Sequence, residues 1–395
     1  MTTPPKSPQT PGAAEVSHLE SSFALGDRKR ADGCPGAFKL HHATDGAIGR
    51  IRFPGGHLES TDWTTLADLA DTFGDGFIHL TTRGNTQIRG VTDEPGFSAA
   101  VVDRGLVPSP AHDRIRNIIV SPRAGLEAAA HELDRALLAS STCAGLAGRT
   151  LFGLDAGDGM IAEQRVDFGT FKDFLVLGGA PRARRKAPAA QVIVRAAELW
   201  QEFRGPSWRV IEAPDVADRI LEVLSDRGLV EVESGSVPEL PELDPVEFRR
   251  GPIGWLPEED GTVSLGAGLK YGAISSVAAR MIAVLNCRTS ATPFQSVVLH
   301  GLGEDVAEKA VEALAPQGLI FDENSPWLRV TACTGLPGCA KARSHTREDA
   351  EQFVTSGAGE GLVHFSGCER LCGHPLAPYT SYEAESEGEY EVVSR

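Results

Sequence analysis

Apolar and polar residues follow each other in a strand–helix–strand order in the first part of the chain. An apolar run at 47–53 predicts a strand, and a second run at 76–81 predicts the returning strand. Between them, polar residues 60–62 are typical of a helix start. Apolar residues then recur three and four positions apart, which places them on one helix face: Trp63, Leu66, Ala67 and Ala70.

A similar block recurs 215 residues later, where Asp260-Gly261 takes the place of Asp45-Gly46. Strand-like residues 262–265 and 294–299 enclose a helix that begins at Ser275. The pattern predicts a weak internal repeat and two related halves. The buried face of the second helix is expected to consist of Val277, Met281, Val284 and Leu285.

Composition narrows the class of protein. With 395 residues, of which 41% are hydrophobic, the chain can bury two to four cores. No apolar stretch reaches the roughly 18 residues of a membrane span, and Met1–Ser17 lacks the apolar region of a signal peptide. A formal net charge of −16 disfavours nucleic-acid binding. We therefore expect a soluble, cytoplasmic enzyme with no nucleic-acid or membrane partner.

Four of the seven cysteines form two close pairs, Cys333-x5-Cys339 and Cys368-x3-Cys372. Four thiolates can enclose a metal ion or an iron–sulfur cluster. Zinc sites more often use Cys-x2-Cys, so these spacings favour a larger cluster, with zinc or unrelated buried thiols as alternatives. The other cysteines are interpreted as buried apolar residues: Cys34, Cys143 and Cys287.

Arginines are concentrated near the first returning strand, although the chain is acidic. The segment 81–89 contains Arg83, Gln87 and Arg89, and residues 114–117 add further basic and amide groups. Because a guanidinium binds carboxylates through a planar fork, these residues predict a site for an anionic ligand. The alternative is a surface strand with solvated arginines. A basic run at 182–186 follows Gly178-Gly179, where a ligand can approach the backbone closely.

These motifs together resemble the sulfite/nitrite reductase family. The cysteine pattern resembles its cluster motif, and Thr-Thr-Arg-Gly-Asn-Thr-Gln-Ile-Arg-Gly at 81–90 resembles its tetrapyrrole-binding strand. Arg116-Asn117 resembles an active-site Arg-Asn motif, and Gly178-Gly179 resembles a Gly-Gly contact near the ring. The resemblance extends from about Asp32 to Pro375.

The resemblance implies an α+β fold with duplicated ferredoxin-like half-domains, two sulfite/nitrite-reductase-type α/β domains and a pseudo-two-fold internal repeat. The segment at the start of the chain is expected to be disordered, and the segment at its end is expected to be an acidic tail. The expected divisions are a disordered segment at 1–30, a half-domain at 31–105, a tetrapyrrole-binding α/β domain at 106–245, a second half-domain at 246–303, a [4Fe–4S] cluster domain at 304–380 and an acidic tail at 381–395.

The resemblance also implies roles for particular residues. The four clustered cysteines would hold a [4Fe–4S] cluster, and Arg116 and Asn117 would be catalytic. The tetrapyrrole would be bound by Arg83, Gln87, Arg89, Arg114, Gly178 and Gly179. Oxygen-using members would add a non-haem iron, for which the candidate ligands are His79, His300, His345, His364 and His374.

One departure from the family separates its reactions. Sulfite and nitrite reductases carry a Lys-x-Lys pair that supplies protons, whereas Arg149 and Leu151 stand at that place here, and 144–168 contains no lysine. Arginine, with a pKa above about 12, is a poor proton donor. The sequence therefore favours an oxygen-using enzyme that acts on a reduced tetrapyrrole. O2 would be its co-substrate, and an NADH-dependent reductase or a ferredoxin would be its electron donor. A sirohaem-dependent reductase and a zinc-stabilised tetrapyrrole-binding protein are the alternatives.

Overall fold

The computed structural model describes residues 32–232, 237–357 and 360–395, and the predicted disordered segment 1–30 lies outside them. The helices in these ranges are α1 (Ser60–Phe73), α2 (Glu94–Asp103), α3 (Glu127–Ala139), α4 (Ala189–Phe203), α5 (Pro214–Asp226), α6 (Pro245–Arg250), α7 (Ser276–Val284), α8 (Glu304–Leu314) and α9 (Thr346–Thr355).

The strands of the same ranges form four sheets. In chain order they are β1 (His41–Ala43), β2 (Gly46–Ile51), β3 (His57–Leu58), β4 (Phe77–Leu80), β5 (Thr86–Val91), β6 (Ile118–Val120), β7 (Phe152–Asp155), β8 (Phe168–Phe171), β9 (Phe174–Leu177), β10 (Ala180–Arg185), β11 (Val230–Glu231), β12 (Gly254–Pro257), β13 (Val263–Leu269), β14 (Ala273–Ser275), β15 (Thr289–Ala291), β16 (Ser296–Leu302), β17 (Leu319–Ile320), β18 (Val330–Ala332), β19 (Val363–Ser366), β20 (Thr380–Ser386) and β21 (Glu389–Ser394).

Two sheets of the same design confirm the predicted pseudo-two-fold repeat. The first has the order β1-β2-β5-β4-β14, and the second has the order β12-β13-β16-β15-β3, with β17 beside β13. Each sheet therefore takes its last strand from the other half. Helices α1 and α7 pack against each other between the halves. At this junction the buried Trp63 Nε1 donates a hydrogen bond to Thr289 Oγ1 at 2.6 Å.

The predicted buried face of the second helix is correct for Met281 and Leu285, which pack against the core, and wrong for its two valines. Val277 and Val284 in α7 are 55% and 84% exposed, whereas Ala278, Ala279 and Ile282 are buried. Small residues face α1 because the two helices pack closely, so the larger valines lie on the outer side. Apolar spacing gave the correct helix but not its orientation, since both faces of α7 carry apolar residues.

The third sheet lies between the two halves in sequence. Strands β6, β7 and β8 run parallel, and β9, β10 and β11 continue the sheet in antiparallel order. Helices α3, α4 and α5 cover it, and their apolar faces share one core with the sheet. Trp200 of α4 packs against Phe168 of β8 with ring centroids 6.5 Å apart. Cys143 lies in this core, as the apolar interpretation of that cysteine expects.

The fourth sheet carries the cysteine segments and has the order β18-β19-β20-β21. The first three strands are parallel, and β21 returns antiparallel to β20. The expected acidic tail at 381–395 is therefore wrong as a solvated end, because these residues form a β-hairpin of the sheet. Ser381 and Ala384 of β20 are buried, while Glu385, Glu387, Glu389 and Glu391 are exposed. The acidic residues are thus the solvent side of an ordered hairpin.

A cluster of histidines lies where the second sheet meets α3. Ser290 Oγ is 2.9 Å from His300 Nε2 and 3.4 Å from His57 Nδ1. His131 of α3 meets the His57 ring edge-on, and Glu127 and Arg288 lie beside them. Burial is the main cause that lowers the pKa of His57 to about 4, although Glu127 opposes it. Burial likewise lowers the pKa of His300 to about 4, and Arg288 adds to this effect.

This cluster predicts acid sensitivity. Unfolded histidine has a pKa near 6.5 and the folded rings are held neutral, so the unfolded state binds more protons as the pH falls. Stability should fall between about pH 6.5 and pH 4, by roughly 1–3 kcal/mol for each histidine. We expect His300→Gln to reduce the difference in urea midpoint between pH 7 and pH 5, whereas His42→Gln, at an exposed ring, should not. An unchanged difference in His300→Gln would contradict this account.

No helix among the described residues is both long enough and apolar enough to cross a membrane.

Candidate functional site

The two cysteine segments meet because they follow neighbouring parallel strands. Cys333 comes directly after β18 and Cys368 comes shortly after β19, at the same edge of the sheet. The Gly367 amide donates a hydrogen bond to Cys333 Sγ at 3.2 Å, and Cys333 Sγ lies 3.6 Å from Thr346 Oγ1. Amide donors to sulfur are typical of the surroundings of iron–sulfur clusters, whose potential they tune.

All four cysteines of the pattern belong to this group. Burial raises the pKa of the Cys372 thiol, and the nearby thiols of Cys333, Cys368 and Cys339 raise it further. Over the described ranges, no three His, Cys, Asp or Glu side chains are arranged to hold a single metal ion. The thiols are thus neighbours without the tight arrangement that one tetrahedral ion requires, with bonds of about 2.3 Å to sulfur.

A cavity of about 470 Å³ adjoins Cys372. The β4–β5 loop contributes Thr82 and Arg83 to its wall, and the equivalent β15–β16 loop of the other half contributes Pro293, Phe294 and Gln295. The pseudo-two-fold axis therefore brings equivalent loops of both halves to one site. The segment that follows Cys372 completes the wall on the side of the cysteines.

Five arginines line this cavity, and no described Asp, Glu or Lys lines it: Arg83, Arg149, Arg209, Arg249 and Arg370. Arg209 is paired from behind with the buried Asp167, with Nε and Oδ2 2.6 Å apart. Arg249 instead donates to the uncharged Phe294 carbonyl and Gln295 Oε1, each at 3.0 Å. Burial alone lowers the pKa of Arg249 to about 10, so the guanidinium stays charged at neutral pH without a carboxylate partner.

Arg83 is a second cation of this kind. Burial lowers its pKa, and the neighbouring Arg209 lowers it further. Its Nη1 lies 4.0 Å from Cys34 Sγ, so Cys34 is buried as expected, but its thiol also lies against a guanidinium. Buried cations without counter-charges are costly. An anionic ligand in the cavity would supply the missing negative charge.

Two further arginines lie behind Arg83. Burial, and then the charge of Arg83, lower the pKa of Arg50 to about 10, and burial and Arg50 lower that of Arg52 to about 9. Once the Gln87 amide is turned so that its oxygen faces the guanidinium, that oxygen accepts hydrogen bonds from Arg50 Nε at 3.1 Å and Nη2 at 2.6 Å. Gln87, predicted to bind ligand, therefore orients Arg50 in this second layer.

Asn117 connects the loops that carry the cavity arginines. Its Oδ1 accepts hydrogen bonds from Asn85 Nδ2 and Arg52 Nε, both at 2.9 Å. Its Nδ2 donates to the carbonyls of Gly148 and Thr150, on either side of Arg149. The structure thus places Asn117 where it positions Arg83 and Arg149, and not in the cavity wall.

Arg116 is directed away from the cavity. Its Nε and Nη2 donate to Asp134 of α3 at 2.6 and 2.9 Å, and both side chains are buried. The fork of the guanidinium is therefore fully used within the protein. The structure does not bring this predicted catalytic residue to the other site residues.

We expect Arg116→Lys to affect folding and not ligand binding. A lysine keeps the charge but cannot form the two parallel hydrogen bonds to Asp134, which should lower the free energy of unfolding by roughly 1.5–3 kcal/mol. Urea unfolding measures this loss, and titration with a carboxylated tetrapyrrole should give wild-type affinity for the folded fraction. A loss of affinity at unchanged stability would return Arg116 to the binding site.

The remaining predicted residues do not belong to the cavity wall. Arg89 pairs with Asp45 at 2.9 Å, and Arg114 lies 3.4 Å from Asp32. Gly178 and Gly179 form the turn between β9 and β10, with φ of 63° and 88°, a region that favours glycine. A Cβ on Gly179 would come within 3.1 Å of the Arg165 backbone. This turn supports the segment of Gln164, which does line the cavity.

Two of the candidate iron ligands, His364 and His374, lie near each other, because both rings pack against Tyr379, and the other three are dispersed. His374 lines the cavity, and the buried His364 is hydrogen bonded to Thr331 Oγ1 at 2.8 Å. His79 pairs with Asp75, and His345 lies near Glu348. His300 belongs to the cluster of histidines where the second sheet meets α3. The described residues thus provide no ready set of ligands for a mononuclear iron.

Several cavity residues were missed from the sequence. Arg209 and Arg249 stand in segments with no distinctive motif, and only the fold brings them together. Arg370 could have been found, because it lies between Cys368 and Cys372. Arg149 and Leu151, placed by resemblance at the positions of the family's lysine pair, both line the cavity.

The chain was compared with known proteins. Residues 41–94 match the family "Nitrite/Sulfite reductase ferredoxin-like half domain". A precorrin-3B synthase of Sinorhizobium sp is 25% identical over 382 residues, which cover 88% of this chain and 79% of that protein. A ferredoxin–nitrite reductase of Synechococcus elongatus is 40% identical over 86 residues, which cover 21% of this chain and 17% of that protein.

The similarity in fold agrees with these similarities in sequence. The structure of the Mycobacterium tuberculosis NirA protein matches with a TM-score of 0.67 and 18% identity, covering 93% of this chain and 77% of that one. The chain is thus similar to nitrite/sulfite reductase proteins along most of its length, and residues 41–94 carry the half domain of that family. Its α+β architecture with ferredoxin-like halves is the predicted one.

The superfamily implies a [4Fe–4S] cluster and a tetrapyrrole, and the residues present fit both. Four neighbouring thiols with an amide donor to Cys333 Sγ suit a cluster. A cavity beside Cys372 with five arginines and no described acid suits a ring bearing carboxylates. The non-haem iron has no such set of ligands among the described residues.

Proposed function

We propose that this protein is an oxygen-dependent monooxygenase of the precorrin-3B synthase type. It would convert precorrin-3A to precorrin-3B by hydroxylation at a meso position and closure of a lactone by a ring acetate. One atom of O2 would enter the product, and the other would leave as water with two protons and two electrons. An NADH-dependent reductase or a ferredoxin would supply the electrons. The similarity to a precorrin-3B synthase along 88% of the chain supports this assignment.

The cavity wall is the observation that carries the proposal. Arg149 and Leu151 occupy it, and no described lysine does. A six-electron reduction of sulfite or nitrite consumes many protons, and neither an arginine nor a leucine donates them. A two-electron oxygenation makes a much smaller demand. The composition of the wall therefore favours oxygenation over reduction of an anion.

Each residue of the site has a role in this proposal. Arg83, Arg249 and Arg370 bind the carboxylates of the substrate, and Arg149 adds charge to the same wall. The four cysteines hold a [4Fe–4S] cluster, which supplies one-electron transfer when it is bound. Phe294 offers an apolar surface to the ring. Asn117 and Gln87 keep the arginines in place from behind.

A second function is supported by a specific observation. Cys372 borders the cavity, so a cluster held by the four cysteines would adjoin a sirohaem bound in the cavity. The similarity to a ferredoxin–nitrite reductase is 40% identity, although it covers only 86 residues. A sirohaem-dependent reductase is therefore the alternative. A zinc-stabilised protein that binds a tetrapyrrole without turnover is the third reading.

Anaerobically purified protein separates these functions. We expect a broad iron–sulfur absorption without haem bands, together with iron and sulfide on analysis. Precorrin-3A, O2 and a reductant should give a product that carries one atom of label from ¹⁸O2, and reduced methyl viologen should drive no nitrite or sulfite reduction. Haem bands with nitrite or sulfite reduction would favour the reductase, and a colourless zinc protein would favour the binding protein.

A further inference from the structure

The C-terminal hairpin, β20 and β21, is joined to the cysteine segments through one half-buried carboxylate. Asp349 of α9 accepts hydrogen bonds on Oδ2 from Tyr390 of β21 at 2.5 Å and from Ser344 Oγ at 2.6 Å. At the hairpin turn, the Gly388 amide donates to Ser344 Oγ at 3.0 Å. Ser344 is therefore bound from two sides by groups of the hairpin and of α9.

The segment at Ser344 connects both cysteine pairs. Its carbonyl accepts a hydrogen bond from the Leu336 amide, between Cys333 and Cys339, at 2.9 Å. The adjacent Arg343 amide donates to the Gly367 carbonyl, directly before Cys368, at 2.9 Å. A displacement of this segment would thus move both cysteine pairs at once.

One more contact binds the hairpin to this segment, and another binds the residues after Ser344 to Cys333. Arg343 Nη1 donates to the Ala384 carbonyl of β20 at 3.2 Å. Thr346 donates from Oγ1 to the Cys333 carbonyl at 3.0 Å. Burial, Asp349 and the nearby Cys333 thiol all raise the pKa of Tyr390, which shows how near this hydroxyl is to the cysteines.

We propose that Tyr390, Asp349 and Ser344 are positioning residues for the iron–sulfur cluster, and that the C-terminal hairpin fixes the Cys339 segment through them. This inference rests on the cluster of the proposed function. Mobile backbone around a cluster admits water and chelators, so fixed cysteine segments slow the loss of iron. The Asp349 carboxylate also places a negative charge near the cluster, which disfavours its reduction.

The test uses the full chain reconstituted anaerobically with iron and sulfide. Tyr390→Phe removes only the hydroxyl, and Asp349→Asn removes the charge. Tyr382→Phe is the matched control, since Tyr382 lies on β20 of the same hairpin and its hydroxyl has no hydrogen bond to the described residues. The measurements are iron and sulfide content, the rate of iron release to bathophenanthroline, the reduction potential by EPR-monitored titration, and the melting temperature.

We expect severalfold faster iron release from Tyr390→Phe and Asp349→Asn, and wild-type release from Tyr382→Phe. The reduction potential of Asp349→Asn should be more positive than that of the wild type, a change that loss of stability alone would not produce. Equal release from both tyrosine variants, or an unchanged potential in Asp349→Asn, would overturn the inference while leaving the proposed function in place. A wild-type protein that assembles no cluster would overturn both.

Discussion

Cys372→Ser should abolish activity and remove the visible absorption of the protein while leaving most of its fold. A thiolate cluster that loses one of its four ligands usually degrades or is released. The cores of the two halves and of the third sheet contain none of the four cysteines, so they should survive. The measurements are the optical spectrum, the iron and sulfide content, and far-UV circular dichroism.

Cys287→Ser is the matched control for this change. Cys287 is a half-buried free cysteine that packs against the core of the two halves, outside the cysteine group. Its replacement should leave iron content, spectrum and turnover at the wild-type level. If Cys372→Ser kept full cluster content, the assignment of the four cysteines as ligands would be wrong.

Arg83→Lys and Arg249→Lys should each weaken tetrapyrrole binding about ten- to a hundredfold. Lysine keeps the charge but lacks the planar fork that binds a carboxylate through two hydrogen bonds. The loss of one such interaction costs roughly 1.5–3 kcal/mol. Fluorescence titration with uroporphyrin, a stable ring with eight carboxylates, measures the affinity.

Arg280→Lys is the control for this pair of variants, because Arg280 forms surface ion pairs with Asp68 and Asp71 on the helices between the halves. It should bind uroporphyrin like the wild type. Iron content should be unchanged in all three variants, since neither cavity arginine is a cluster ligand. Equal affinities throughout would remove the arginine cavity as the site of the tetrapyrrole.

Much of the fold could be predicted because its signals are local. The two strand–helix–strand blocks are visible in the spacing of apolar residues, and the cysteine pairs stand close together in sequence. The divisions expected at 105, 245 and 303 remain predictions. The position of the acidic residues after Ser381 was not predictable from their charge, because alternating glutamates suit an exposed strand face as well as a solvated end.

The site was predicted only in part, since residue type does not reveal the direction of a side chain. Arg83 and Arg116 looked alike as members of basic motifs. Asp134, 18 residues beyond Arg116, binds its guanidinium through two hydrogen bonds, and Arg116 does not line the cavity. Arg249 reaches the site from a segment more than 160 residues from Arg83, and no local pattern marks that meeting.

The exchange of β3 and β14 between the two sheets affects how the chain can fold. His57 pairs with Ser290, and His79 pairs with Ala273, so each sheet is finished by residues about 200 positions away in sequence. Pairings of such long range are slow to form. A nascent chain that ends before β14 exposes the edge of β4. In the same way, the edge of β3 stays exposed until β15 is synthesised. Neither half can complete its own sheet. Because of this exchange of strands, each copy of the repeat depends on the other to fold.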